Sequence, residues 1–138
     1  RRYEHATPPL AERLAAAKKV AKAGYPLGFL VAPIISEDGW KESYRELFKT
    51  VADELDGRVP GLTFEFITHR FTKRAKNTIL EVFPNTRLDL AEESRTFKFG
   101  QFGYGKYVYS KELFNEIKEC FHSLAREFFP QAKVEYFV

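Results

Sequence analysis

The sequence predicts an α/β fold: a parallel sheet with helices packed on it, broken once by a protruding two-stranded ribbon. Three observations lead there. Short apolar runs rich in branched and aromatic residues alternate with longer segments of helical periodicity, at the crossover lengths of βαβ units. The length of 138 residues suits one domain with a real core but is short for a complete α/β barrel. Between Ser94 and Ser110 the alternation gives way to SRTFKFGQFGYGKYVYS, whose polarity alternates on either side of a glycine-rich centre.

Thr7 is expected to cap the first helix, with Pro8-Pro9 in a first turn where the amide has no intrahelical partner, and Gly24 as its stop. Leu10, Leu14, Ala17 and Ala21 give it one narrow apolar face. YPLGFLVAPII follows, too short and too branched for a helix and bounded by Pro26 and Pro33. It reads as a strand buried on both faces, the kind found in parallel sheets. After the turn Ser36-Glu37-Asp38-Gly39, the set Trp40, Tyr44, Leu47, Phe48, Val51 and Leu55 recurs at helical spacing, and Gly57 is expected to end that helix. LTFEFIT from Leu62 is a second strand. Thr72 caps a third helix that runs to about Val82 and is closed by Pro84.

Thr96 to Phe99 and Lys106 to Tyr109 form a hairpin, since Gly100, Gly103 and Gly105 permit the positive φ values a tight connection requires. A last helix from Ser110 collects Leu113, Ile117, Phe121, Leu124 and Phe128 on one side, and AKVEYFV finishes as a strand. The chain reads as a single unit over 1–138, with an inserted hairpin at 94–110 and a closing helix and strand at 111–138.

Composition narrows the class of function. Hydrophobic residues at 44% and charged residues at 30% are those of a soluble globular protein, and no apolar run approaches the ~20 residues that span a bilayer. No membrane partner is expected, and RRYEHATPPL carries no secretory h-region. Cys120 is the one cysteine, which allows neither an internal disulfide nor a cysteine-cluster metal site and fits a reducing, cytoplasmic setting. The net charge of +3 says less than its distribution. His69, Arg70, Lys73, Arg74 and Lys76 form one basic block; Arg95, Lys98, Lys106 and Lys111 form another; the acidic run Asp89 to Glu93 lies between them.

An isolated hairpin buries little, so a protruding one is usually there to contact something. Rings interleaved with Lys98 and Lys106 suit nucleic acid, cations meeting phosphates while rings stack on or wedge between bases. The bland alternative is an edge ribbon folded down on the domain, with Phe97, Phe99, Tyr107 and Tyr109 as its core face. The His69 to Lys76 block falls at a strand end and a helix start, where sheet proteins of this class bind ligands and amides attract anions; the alternative is a solvated basic helix start, which the helix dipole disfavours. Cys120, inside an amphipathic helix beside Phe121, reads as a structural thiol. His5, His69 and His122 show no metal-ligand spacing, and no acid–base pair stands out. The residues hold no self-contained catalytic apparatus.

Five blocks together, EHATPPLAERLAAAKKVAKAGYPLGFLVAPI, GWKESYRELF, LTFEFITHRFTKRAK, the glycine-rich hairpin and VEYFV, resemble the C-terminal half of the spore photoproduct lyase family in order and spacing. These are radical S-adenosylmethionine (radical-SAM) enzymes of DNA repair. The resemblance covers essentially the whole chain. It implies the later βα units of a partial (β/α) TIM-like radical-SAM barrel, plus a protruding, DNA-contacting β-hairpin. In the family an iron–sulfur cluster on a three-cysteine motif cleaves S-adenosylmethionine, and the resulting radical takes a hydrogen from the thymine dimer of spore DNA, which is repaired by direct reversal. Those cysteines belong to the N-terminal half. Without thiolates to hold iron, this chain is not a self-sufficient lyase. It implies partners instead: the missing N-terminal half, paired along an otherwise open sheet edge, and damaged double-stranded DNA.

Residue by residue the resemblance reaches a few positions. Ala32 matches a position lining the S-adenosylmethionine pocket. Gln101-Phe102 stand where the family carries arginine-tyrosine, the pair that pushes into the duplex beside the flipped-out lesion; the wedge ring is kept while the cation and hydroxyl are lost. Lys98, Tyr104, Lys106 and Tyr107 on the hairpin, with Arg70 and Lys73 beside it, complete the expected nucleic-acid-binding set. Two other readings remain open: a non-catalytic nucleic-acid-binding remnant lacking the radical machinery, and a protein-interaction domain with an edge ribbon.

Overall fold

A computed structural model describes residues 3–4, 6–56, 59–100 and 103–138. In chain order the elements are α1 (Leu10–Lys22), β1 (Gly28–Ile34), α2 (Trp40–Glu54), β2 (Thr63–Thr68), α3 (Lys73–Val82), β3 (Arg95–Phe99), β4 (Gly105–Tyr109), α4 (Lys111–Phe128) and β5 (Lys133–Phe137). The alternation therefore yields the parallel sheet that it predicts. β1, β2 and β5 form a three-stranded sheet in the order β1-β2-β5, with β2 parallel to both neighbours. β3 and β4 form a separate antiparallel hairpin.

Caps set the helix ends. The Thr72 hydroxyl accepts from the Ala75 amide at 3.1 Å and the Ser110 hydroxyl from the Leu113 amide at 3.2 Å, each supplying a partner for an orphan donor of the first turn. Thr7 does not do this for α1. Its hydroxyl turns to Glu4 instead, and the helix begins at Leu10 with Pro9 in the flanking position, where the fixed φ of proline suffices for entry. Gly24 does stop α1, at φ +80°. α2 ends at Glu54, followed by Asp56 at φ +55°; the expected stop, Gly57, lies outside the described residues.

The core lies on one side of the sheet. Phe64 and Phe66 of β2 point into it, where Phe48 of α2, Phe121 of α4 and Phe129 meet them; the Phe66 and Phe121 rings sit 5.0 Å apart, edge to face, and both residues are 0% exposed. Such geometry adds to the stabilisation from area alone. Leu14 of α1 closes the same core.

The expectation that β1 is buried on both faces is corrected. Leu30 is 61% exposed, and across the parallel register it lies beside Glu65, which in turn pairs with Tyr136, 50% exposed. The helices that share the core cover one face only, so along β1 the burial alternates. Among the described residues no helix is long and apolar enough to cross a membrane.

Candidate nucleic-acid interface

The hairpin is rooted at the carboxyl ends of β1 and β2, where α/β proteins place their ligand sites. Its first rung pairs Arg95 with Tyr109, and both are buried. The Tyr109 hydroxyl accepts from the Ser36 amide at 3.0 Å and donates to the Ile34 carbonyl at 3.4 Å, tying β4 to the end of β1. Next to it the Arg95 side chain, 1% exposed, donates to the His69 carbonyl at 3.0 Å and, through Nη2, to the Asp89 carbonyl and carboxylate at 3.3 Å each. Nη2 also lies 3.3 Å from His69 Nδ1. A guanidinium has no acceptor, so Nδ1 must accept and the imidazole is neutral. Burial, then the neighbouring charge of Arg95, lowers the His69 pKa to about 4.

One rung further out a second anchor appears. Phe71, just after β2, exchanges backbone hydrogen bonds with Tyr107 of β4, and their rings stack at 5.4 Å. The Tyr107 hydroxyl interacts with Glu92, which pairs with Lys76 at 3.0 Å. These two partners hold the Glu92 carboxyl below its ordinary range, while Glu92 raises the tyrosine. The acidic run thus serves as a brace between α3 and the hairpin.

Beyond these anchors the ribbon stands clear. Phe97 is 48% exposed, Phe99 79% and Tyr104 75%, so the hairpin is not folded down on the domain; of the four rings that such a ribbon would bury, only Tyr109 is fully enclosed and Tyr107 half so. Strand alternation divides its two faces. Arg95, Phe97 and Phe99 share one with Tyr109, Tyr107 and Gly105. The other carries Thr96 and Lys98 opposite Val108 and Lys106, and in the register Lys98 faces Lys106 directly. Neither lysine pairs with a carboxylate among the described residues. Like charges placed directly across a ladder are destabilising on their own, and an anion bound between them removes that penalty.

The turn closes with the Gly100 amide donating to the Tyr104 carbonyl at 2.8 Å and Gly103 at φ +75°. Gln101 and Phe102, the expected wedge, lie outside the described residues. At the root, Arg70 is half-buried and Lys73 is exposed as the first residue of α3; the bridge from Phe71 to Tyr107 brings this block to the hairpin. His69 and Lys76 leave the expected basic block, one neutral and buried, the other paired.

Ala32 is exposed near the end of β1, two residues before the strand end that Tyr109 holds, and lines an apolar cavity of about 380 Å³ with Phe29, Leu30 and Leu47. Cys120 is half-buried in α4, and burial raises its pKa, as befits a structural thiol. Among the described residues no three His, Cys, Asp or Glu side chains converge on a metal-sized site.

The residue that sequence reasoning misplaced is Arg95. Grouped with Lys98 as a surface cation, it is the buried pin of the hairpin; its strand parity, which matches Phe97 and not Lys98, was the available signal.

A family model described as spore photoproduct lyase matches residues 1–138. Two curated relatives, both spore photoproduct lyases, are those of Bacillus subtilis (strain 168), 49% identical over 98% of this chain, and Clostridium acetobutylicum, 47% identical over 99%. The chain spans about 40% of the length of each. Among solved structures, a spore photoproduct lyase double mutant with bound AdoMet and dinucleoside spore photoproduct superposes with a TM-score of 0.95 at 48% identity, covering 99% of this chain and 41% of that one. A spore photoproduct lyase complexed with dinucleoside spore photoproduct matches with the same score and coverage.

Proposed function

The chain belongs to the spore photoproduct lyase family, and we propose that it forms the C-terminal, DNA-binding portion of a lyase that repairs thymine dimers in double-stranded DNA. The observation that carries this reading is the Lys98–Lys106 rung: two cations held opposite each other on an exposed ribbon, an arrangement favourable only against an anion such as a phosphate backbone. Arg70 and Lys73 extend the cationic surface to the root of the hairpin, and Tyr104 and Tyr107 flank it.

In this reading Phe102 fills the stack vacated when the lesion flips out, with Gln101 beside it. Flipping costs a few kcal/mol, least at a damaged base, and a ring in the gap offsets part of it. The Arg95 and Phe71 anchors keep the wedge from yielding when it is pressed into the duplex.

In the family, cleavage of S-adenosylmethionine at an iron–sulfur cluster supplies the hydrogen abstraction. Cys120, half-buried and single, does not fit a cluster ligand, so no step is assigned through the cluster in this chain. Ala32 fits the cofactor better: exposed near the carboxyl end of a strand, its methyl group leaves room for an adenosine to approach the backbone. The open face of the sheet, with Leu30, Glu65 and Tyr136, would then be part of the inner wall of a partial barrel completed by the N-terminal half.

The test is lesion discrimination by the gene's full-length product. Phe102→Ala should weaken binding to a duplex carrying one spore photoproduct more than binding to the undamaged duplex. Equal loss on both would remove Phe102 from lesion recognition. The alternative of a non-catalytic DNA-binding remnant predicts the same binding but no iron and no repair in protein purified without oxygen.

A further inference from the structure

On the face of the hairpin opposite the lysines, four rings form one row that runs from the sheet towards the tip. Phe71 stacks on Tyr107 at 5.4 Å, Tyr107 meets Phe97 at 5.1 Å, and Phe97 meets Phe99 at 5.1 Å. Exposure rises along the row, from 4% at Phe71 to 48% at Phe97 and 79% at Phe99.

The sequence builds this row with one glycine. Phe99 pairs across the ladder with Gly105, and a Cβ at Gly105 would lie 2.0 Å from the Phe97 ring. Phe97 therefore occupies the space of the missing side chain, the far end of its ring lying over Gly105. Phe99 is left standing with no cross-strand neighbour of its own. Exposed apolar surface of this kind marks an interaction site.

We propose that Phe97 and Phe99 form a stacking site for unpaired nucleobases, in addition to the wedge proposed for Gln101 and Phe102. The inference rests on the reading of the hairpin as a DNA-binding element and adds to it a second subsite. Its occupant follows from the pairing of faces on one ribbon only two strands wide. Lys98 and Lys106 on the back attract phosphates, so the ligand is a polyanion, and the front offers phenyl faces without hydroxyl or amide. Nucleic acid presents both chemistries at once: charged phosphates and flat apolar bases. Stacking on rings is tolerant of base identity, which suits a site that must work wherever a lesion falls. It also requires bases freed from their pairs, which is the state a wedge creates beside itself.

The test compares a short oligothymidylate with a strand of the same length and charge that carries abasic sites, both titrated against the full-length product at one salt concentration. The unmodified protein should prefer the base-bearing strand about tenfold. Phe97→Ala and Phe99→Ala should each remove most of that preference while leaving the abasic strand's affinity unchanged. Phe99→Trp should keep the preference and show fluorescence quenching by the oligothymidylate but not by the abasic strand. A preference that survives in the double variant Phe97→Ala/Phe99→Ala overturns the proposal. So does an indole in Phe99→Trp that responds to neither strand while Phe99→Ala lowers the melting temperature; the rings would then be covered by the rest of the polypeptide. Lesion-duplex binding measured alongside separates the two readings: intact discrimination by Phe102 with no base preference defeats the stacking site alone, whereas no DNA binding even at low salt defeats both.

Discussion

The guanidinium carbon of Arg95 lies 3.9 Å from the centre of the Tyr109 ring, across the innermost rung of the hairpin. The Phe71 ring centre lies 5.6 Å from the same carbon, and the NH groups reach His69 and Asp89. One side chain thus joins β3, β4, the end of β2 and the acidic loop. Arg95→Ala should cost about 3 kcal/mol, from lost charge-assisted hydrogen bonds and a cavity. Arg95→Lys should cost less but still measurably, because an ammonium cannot span the same fork. Urea unfolding checks both; losses below about 1 kcal/mol for each would mean that the hairpin is held by other contacts.

His69 beside it makes that anchor sensitive to acid. Its pKa is lowered to about 4 in the folded protein, below the 6.5 of a free imidazole. The unfolded chain therefore takes up a proton at a pH where the folded one does not. Stability from this group is full above pH 6.5 and is lost as the pH falls towards 4, by at most about 3 kcal/mol at the usual conversion. His69→Gln, whose side-chain carbonyl can still accept from Arg95, should flatten the pH dependence of the urea midpoint in that window. An unchanged slope would show that the imidazole is not buried in its neutral form.

How far the sequence foretold this arrangement depends on what each inference used. Periodicity, apolar runs, caps and turn residues placed the four helices and five strands; a stripe such as Tyr44, Phe48, Val51 is fixed by the pitch of a helix whatever it packs against. These signals failed where burial depends on which elements are present: β1 reads as doubly buried from its residues, yet Leu30 is open because helices cover one face. Charge is legible only as a count. His69 and Lys76 were indistinguishable from Lys98 in sequence and Arg95 differed from it only in strand parity; only the fold brings Asp89, Arg95 and Glu92 to their partners and leaves Lys98 and Lys106 facing each other.

That facing pair yields a prediction with opposite signs in two assays. Lys98→Ala removes a like-charge rung, so the free protein should be unchanged or slightly more stable, by a few tenths of a kcal/mol. Its affinity for any duplex should fall, damaged or not, and the slope of log affinity against log salt should decrease by about one. Lys106→Ala should behave alike. A loss confined to the damaged duplex would place the lysines at the lesion and away from the backbone.

Gly105 separates folding from binding in the same way. An alanine Cβ there meets only the far edge of the Phe97 ring, a side chain that is half-exposed and can swing outward. Gly105 lacks the positive φ that would make any side chain costly, unlike Gly103 at +75°. Gly105→Ala should therefore change stability by less than about 1 kcal/mol. The displaced ring, however, loses its contact with Tyr107, and the row from Phe71 to Phe99 is broken in the middle. Affinity for base-bearing single strands should fall about as far as in Phe97→Ala, with binding of the abasic strand unaffected. Gly103→Ala should do the reverse, destabilising the turn by about 1 kcal/mol through the left-handed backbone while leaving the row of rings intact. If the two substitutions gave the same pattern in both assays, the position of Phe97 over Gly105 would have no part in binding.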